Sequence, residues 1–150
     1  MRSIIEKIII IIIAVLQSLG VSDLSENVNF ENVLLTEINC YRISYGLNEL
    51  KLSSDLCIAA NIRASEIIDK WSHTRPDGTK FDVLINKFDW DVAGENLAKC
   101  SENTDGSVIL QAWINSEPHR INIVNSRFQK CGIGFYKQND TLYIALILTN

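Results

Sequence analysis

The segment GIGFYKQNDTLYIALIL, Gly132 to Leu148, alternates apolar with small or polar residues on either side of a polar turn at Gln138 to Asp140. A period of two broken by a central turn signal predicts a β-hairpin. A lone hairpin is marginal in water, so the rest of the chain has to cover it. Upstream the apolar period is helical. FENVLLTEINCYRISYG places Leu34, Ile38, Tyr41 and Tyr45 on one stripe, with Asn29 as N-cap and Gly46 as stop. A second helix is predicted from a cap at Ser54, with Leu56, Ala59, Ala60 and Ile67 on its buried side. After the turn Pro76-Asp77-Gly78, FDVLINKF reads as a short helix and SVILQAWIN, behind Ser107, as a longer one. Helices followed by antiparallel strands imply a layered α+β domain.

At 150 residues and 47% hydrophobic content, one domain with a full core is expected. The first twenty residues are set apart from it, because Arg2 and Lys7 flank an apolar run, Ile8 to Leu16, too short to span a bilayer comfortably. Residues 1–20 are therefore read as a signal peptide, with an N-terminal membrane tether as the alternative, and residues 28–150 as the domain. Removing Arg2, Lys7 and Glu6 with that segment takes the net charge from −4 to −5. With no basic stripe interleaved with aromatics, nucleic acid is not an expected partner. In an exported chain the even set Cys40, Cys57, Cys100 and Cys131 suggests disulfides. Their order along the predicted elements pairs Cys40 with Cys57 and Cys100 with Cys131. No CxxC spacing supports a structural zinc site.

The chemistry-bearing residues are sparse. His73 in SHTRPDG and His119 in SEPHRINIV are the only histidines, and each stands at the edge of a predicted element, where sites are commonly built. Between them VAGENLA sets Glu95 in an apolar stretch, where a carboxylate needs partners. Two imidazoles and a carboxylate can hold a divalent cation or move a proton. No GxSxG elbow is present, and Gly132 and Gly134 precede a strand rather than a helix, which fits close backbone packing better than a phosphate loop.

The ordered motifs INCYR, SHTRPDG, AGENLA, WINSEPHRINI and FQKCGIGF resemble the CAP superfamily of cysteine-rich secretory, antigen 5 and pathogenesis-related proteins, in its short bacterial, clostridial-type form. The resemblance runs from about residue 30 to the C-terminus. It implies a three-layer α-β-α sandwich with a small, mostly antiparallel sheet and one cleft, lined by the residues that fall on His73, Glu95 and His119. Many eukaryotic relatives carry an acidic residue three places after the tryptophan. That place is Ser116 here, with Glu117 beside it, and Ser116 also suits the N-cap of a short helix.

Two functions follow as expectations. One is an exported binding module whose cleft takes a metal ion, a lipid or a peptide, with a protein or cell-envelope component as partner. The other is a metal-assisted hydrolase acting on extracellular or cell-wall protein, disfavoured because no nucleophile has an evident base beside it. For the metal, His73 and His119 with Glu95 as third ligand or outer-shell base would suit a divalent ion such as zinc.

Overall fold

A computed structural model describes residues 21–150. The expected signal segment, residues 1–20, lies outside the described residues. Helix α1 spans Val21–Ser44, strand β1 Lys51–Leu52, helix α2 Ser54–Glu66, a 3-10 turn Phe81–Ile85, strand β2 Ala93–Ser101, helix α3 Gly106–Ile114, helix α4 Glu117–Ile123, strand β3 Lys130–Gln138 and strand β4 Thr141–Thr149. The hairpin is the heart of the sheet. Its strands pair antiparallel from Lys130↔Thr149 to Gln138↔Thr141, turning on Asn139 at φ 54, a conformation asparagine tolerates better than most residues.

The sheet order is β1-β3-β4-β2, with β1 parallel to β3 and the remaining pairs antiparallel. Strand β2 was not foreseen as a strand, since AGENLAKCS lacks strict alternation; its register along the whole of β4 makes it one. Two apolar clusters cover the two faces. One, around Leu34, Ile38, Leu110, Trp113, Ile133 and Leu146, packs α1 and α3 on one side. The other, around Leu56, Ala60, Ala64, Ala145 and Ile147, packs α2 on the other. The result is the α-β-α sandwich.

Several boundaries differ from the sequence expectation. Helix α1 already includes Val21, the first described residue, ahead of residue 28, so Asn29 lies inside a helix rather than capping one. The caps of α2 and α3 are Ser53 and Asp105, each one or two residues before the serine expected, and Asp105 accepts from the Ser107 N–H. FDVLINKF forms only a five-residue 3-10 turn.

Helix α2 sits very close to β3 because both surfaces are small there. An ideal Cβ on Gly132 would fall 2.0 Å from the Leu56 carbonyl carbon, and one on Gly134 2.1 Å from that of Ala60. The helix also shields the open edge of β3: Asn61 Oδ1 accepts from the Phe135 N–H at 2.9 Å, and Cys57, one turn earlier, faces the Ile133 N–H. The opposite edge, β2, is shielded likewise, with the Leu97 carbonyl accepting from Trp113 Nε1 at 3.0 Å and the Glu95 carbonyl from Asn122 at 3.2 Å. Each of these contacts occupies a backbone group that could otherwise pair with a foreign strand.

The four cysteines are free thiols, which corrects the expected pairing. Cys100 stands opposite Leu142 and Cys131 opposite Leu148, on strands flanking β4, so they are separated by about 20 Å along the strand direction, against a bridging limit of ~7 Å between Cα atoms. Cys57 donates to Glu31 of α1 at 3.1 Å, and Cys40 lies further along that helix by about 14 Å. Burial pushes the Cys57 and Cys131 thiols up to about 12, whereas Cys40 is exposed. A thiol-specific disulfide reagent is therefore expected to label Cys40 at once and Cys131 only as the protein unfolds. A non-reduced peptide map linking Cys40 to Cys57, or Cys100 to Cys131, would restore the bridges expected from sequence.

Candidate functional site

Successive strand residues point to opposite faces, and on β2 those residues are Glu95 and Asn96. Glu95 turns toward α2, Asn96 toward α4. The site is thus built across the edge of the sheet rather than on one face.

On the α2 side the organising residue is Arg63. Helical spacing puts it on the stripe of Leu56, Ala59, Ala60 and Ala64, and its side chain is 0% exposed. The guanidinium donates from Nε to Glu95 Oε2 at 2.7 Å, from one terminal nitrogen to Glu66 Oε2 at 2.8 Å, and from the other to the Ser72 carbonyl at 2.7 Å. The Glu95 side chain is also fully enclosed, so each partner relieves the desolvation of the other. Glu95 Oε1 lies 2.8 Å from His73 Nδ1, and the His73 imidazole remains 59% exposed.

The loop carrying His73 is held by a second ion pair. Arg75 donates to Glu66 Oε1 at 2.6 Å, while Asp77 Oδ1 accepts from the Thr79 N–H at 2.9 Å and Gly78 takes φ +87 to close the turn. Burial pushes the Glu66 carboxyl upward, but its hydrogen bonds from Arg75 and Arg63 together outweigh that and leave it below the usual range. The SHTRPDG motif is therefore clamped onto α2 through Arg63, Glu66 and Arg75.

On the other side, His119 lies in the first turn of α4. Its backbone carbonyl accepts from Asn96 Nδ2 at 3.0 Å, and Asn96 Oδ1 in turn accepts from Asn122 at 2.9 Å. His119 Nδ1 is 2.8 Å from Ser116 Oγ. Ser116 occupies the N-cap position without a capping hydrogen bond, so its side chain serves the imidazole instead of the helix end. Glu117 is exposed in the first turn of α4. Burial, and then the nearby His73, lower the His119 pKa from its ordinary value. His73, Glu95, Ser116 and His119 thus share one site at the β2 edge.

Both Glu95 oxygens are taken, one by Arg63 Nε and one by His73, which does not fit a directly ligating carboxylate. Among the described residues no group of three or more His, Cys, Asp or Glu is placed to hold a metal ion. His73 and His119 each have Nδ1 engaged, one by Glu95 and the other by Ser116. Arg63, Glu66, Arg75, Asn96 and Asn122 escaped the sequence reading. Arg63 did leave a signal there, as a cation inside an apolar helical stripe.

Comparison with known proteins places this geometry. The model of the cysteine-rich secretory protein (CAP) family matches residues 35–149. YkwD of Bacillus subtilis (strain 168) is 31% identical over 110 residues, covering 71% of this chain and 42% of YkwD. The crystal structure of an extracellular SCP-domain protein from Bacillus anthracis str. Ames superposes with a TM-score of 0.67 at 26% identity, covering 80% of this chain and 41% of that one. The chain therefore spans less than half the length of either Bacillus relative. An outer surface protein of Borrelia burgdorferi shares the fold at a TM-score of 0.70 and 23% identity, covering 79% of this chain and 90% of its own. Among the described residues no helix is long and apolar enough to cross a membrane. With 35–149 matched by the family model and the α-β-α sandwich in place, the chain belongs to the CAP family of cysteine-rich secretory proteins.

Proposed function

We propose that the chain is an exported binding module whose site is the His73–His119 pair on the β2 edge, and that the two imidazoles take a divalent transition metal such as zinc. The observation that carries this reading is the engagement of both Nδ1 atoms, by Glu95 and by Ser116, each at 2.8 Å. The Glu95 carboxylate only accepts, so His73 Nδ1 donates to it and the neutral ring keeps Nε2 bare, the arrangement in which ligating histidines are usually found; the Ser116 hydroxyl can accept from His119 Nδ1 in the same way. Glu95 is then an outer-shell carboxylate that orients His73. Two protein ligands leave positions for water or for a side chain of a protein or cell-envelope partner. Export is supported by the apolar run Ile8–Leu16 and by the extracellular Bacillus anthracis relative.

The hydrolase reading has less support. Ser116 is bonded to His119, but the carboxylate that would have to orient that base is committed to His73 and Arg63.

Titration calorimetry with zinc at neutral pH tests the proposal. The wild type is expected to bind one ion, His73→Ala and His119→Ala to lose about a hundredfold or more in affinity, and Ser116→Ala about tenfold. Protons compete for the same nitrogens, so affinity should fall as pH drops through the histidine range near ~6.5. His119, whose pKa is lowered by burial, stays available below the point where an ordinary histidine is lost. Equal heats for the wild type and His73→Ala would end the metal proposal.

A further inference from the structure

Beside the histidine pair, between β2 and α3, lies a cavity of about 340 Å³ that the metal reading leaves unused. Its walls are Leu97, Val108, Ile109, Ala112 and Trp113, and it reaches Ser116 and His119 at one end. The other end is marked by Trp71, 50% exposed, with Lys99 Nζ 5.2 Å from its ring centroid. Lys99 is the only Lys, Arg, Asp or Glu lining the cavity. A single cation over an apolar hollow with no carboxylate on its walls is a specific combination. It rejects a ligand cation, leaves a purely apolar ligand without use for the ammonium, and matches an acid with a hydrophobic body.

We propose that this cavity binds a small amphiphilic monocarboxylate, its apolar body against Val108, Ile109 and Trp113 and its carboxylate at Lys99. The volume is at the lower end for ligand pockets and, at ~30 Å³ for each water-sized group, takes roughly eleven of them. An aliphatic or aromatic acid with about ten non-hydrogen atoms fills it. A full-length acyl chain does not fit. The Lys99 ammonium lies over the Trp71 ring at this end of the cavity, so a carboxylate arriving there meets a cation already partly held in place, which keeps the ordering cost of binding low. Because the cavity ends at His119, an occupant also lies next to the metal-binding nitrogens, but its binding requires no metal.

The test uses octanoate, 1-octanol and octyltrimethylammonium as probes on the whole secreted chain, in buffer containing a chelator so that the outcome is independent of the metal proposal. Binding is followed by tryptophan fluorescence and by amide and indole chemical-shift changes. Octanoate is expected to perturb Trp71, Lys99 and Ala112, and to bind at least tenfold more tightly than octanol, with no binding of the ammonium. Lys99→Gln should remove the preference for octanoate and leave octanol affinity within about twofold. Ala112 is exposed at the mouth, so Ala112→Trp should block both probes while leaving the thermal midpoint unchanged. Octanoate and octanol binding equally, Lys99→Gln without effect, or wild-type protein blind to octanoate would each overturn the proposal.

Discussion

Replacing Gly134 with valine is expected to abolish folding, and even Gly134→Ala to cost about 3 kcal/mol or more. The cause is the approach of α2 to β3. A Cβ at Gly134 would meet the backbone of Ala60 and Asn61 at 2.1 to 2.4 Å, and one at Gly132 the backbone of Leu56 and Cys57 at 2.0 to 2.4 Å. A helix backbone cannot move aside as a side chain tip can, so the whole of α2 would have to lift, opening the layer formed by Ala59, Ala60, Ala64 and Ile147. It would also release Asn61 from the Phe135 N–H. With total stabilities of about 5–15 kcal/mol, few small domains tolerate that. Gly46→Ala gives the contrast: nothing lies within 4 Å of its added Cβ, and only φ +70 opposes it, at a cost of about 1–2 kcal/mol. Urea titrations of the two alanine variants measure the difference. A Gly134→Ala variant as stable as Gly46→Ala would mean that α2 does not pack as closely as described.

Arg63→Met should destabilise the domain by about 3–5 kcal/mol, because it leaves the enclosed Glu95 carboxylate without its cation. It also removes a donor from the Ser72 carbonyl and one of the two arginines on Glu66. The second substitution Glu95→Leu should recover much of the loss, since a buried pair replaced by apolar groups often costs little. The double variant should nevertheless lose zinc affinity, as His73 then has no carboxylate to hold its ring. Stability and metal binding would thereby separate. If Arg63→Met costs less than about 1 kcal/mol, the buried pair does not hold the site together. Glu66 adds a pH dependence of definite sign: its carboxyl lies below the usual range, so its contribution is full above the unfolded pKa near ~4.3 and is lost as pH falls through the lower folded value.

The sequence by itself determined the hairpin, the helical stripes of α1 and α2, and the family, because periodicity and motif order are local and survive without coordinates. Leu34, Ile38, Leu56, Ala59, Ala60 and Ile67 are buried as their spacing requires, whereas Tyr45, expected on the same stripe as Leu34 and Ile38, lies just past the end of α1 and is exposed. His73, Glu95, Ser116 and His119 could be named as candidates for the same reason, each sitting in a recognisable short motif. Helix starts were less legible: Ser53 and Ser54 are equivalent as letters, and packing chose between them. The cysteines show the limit most clearly. Chain order suggested Cys100 with Cys131, but insertion of β4 between β2 and β3 separates them, and strand order is not written in any local pattern. The partners of the site were hidden for a related reason. Arg63 and Glu95 are 32 residues apart and meet only because α2 crosses the sheet where β2 turns Glu95 toward it. Only the tertiary structure could show that Glu95 is held by that guanidinium, because the energy that binds them arises from excluding water around both, and that exclusion exists only once the layers have closed.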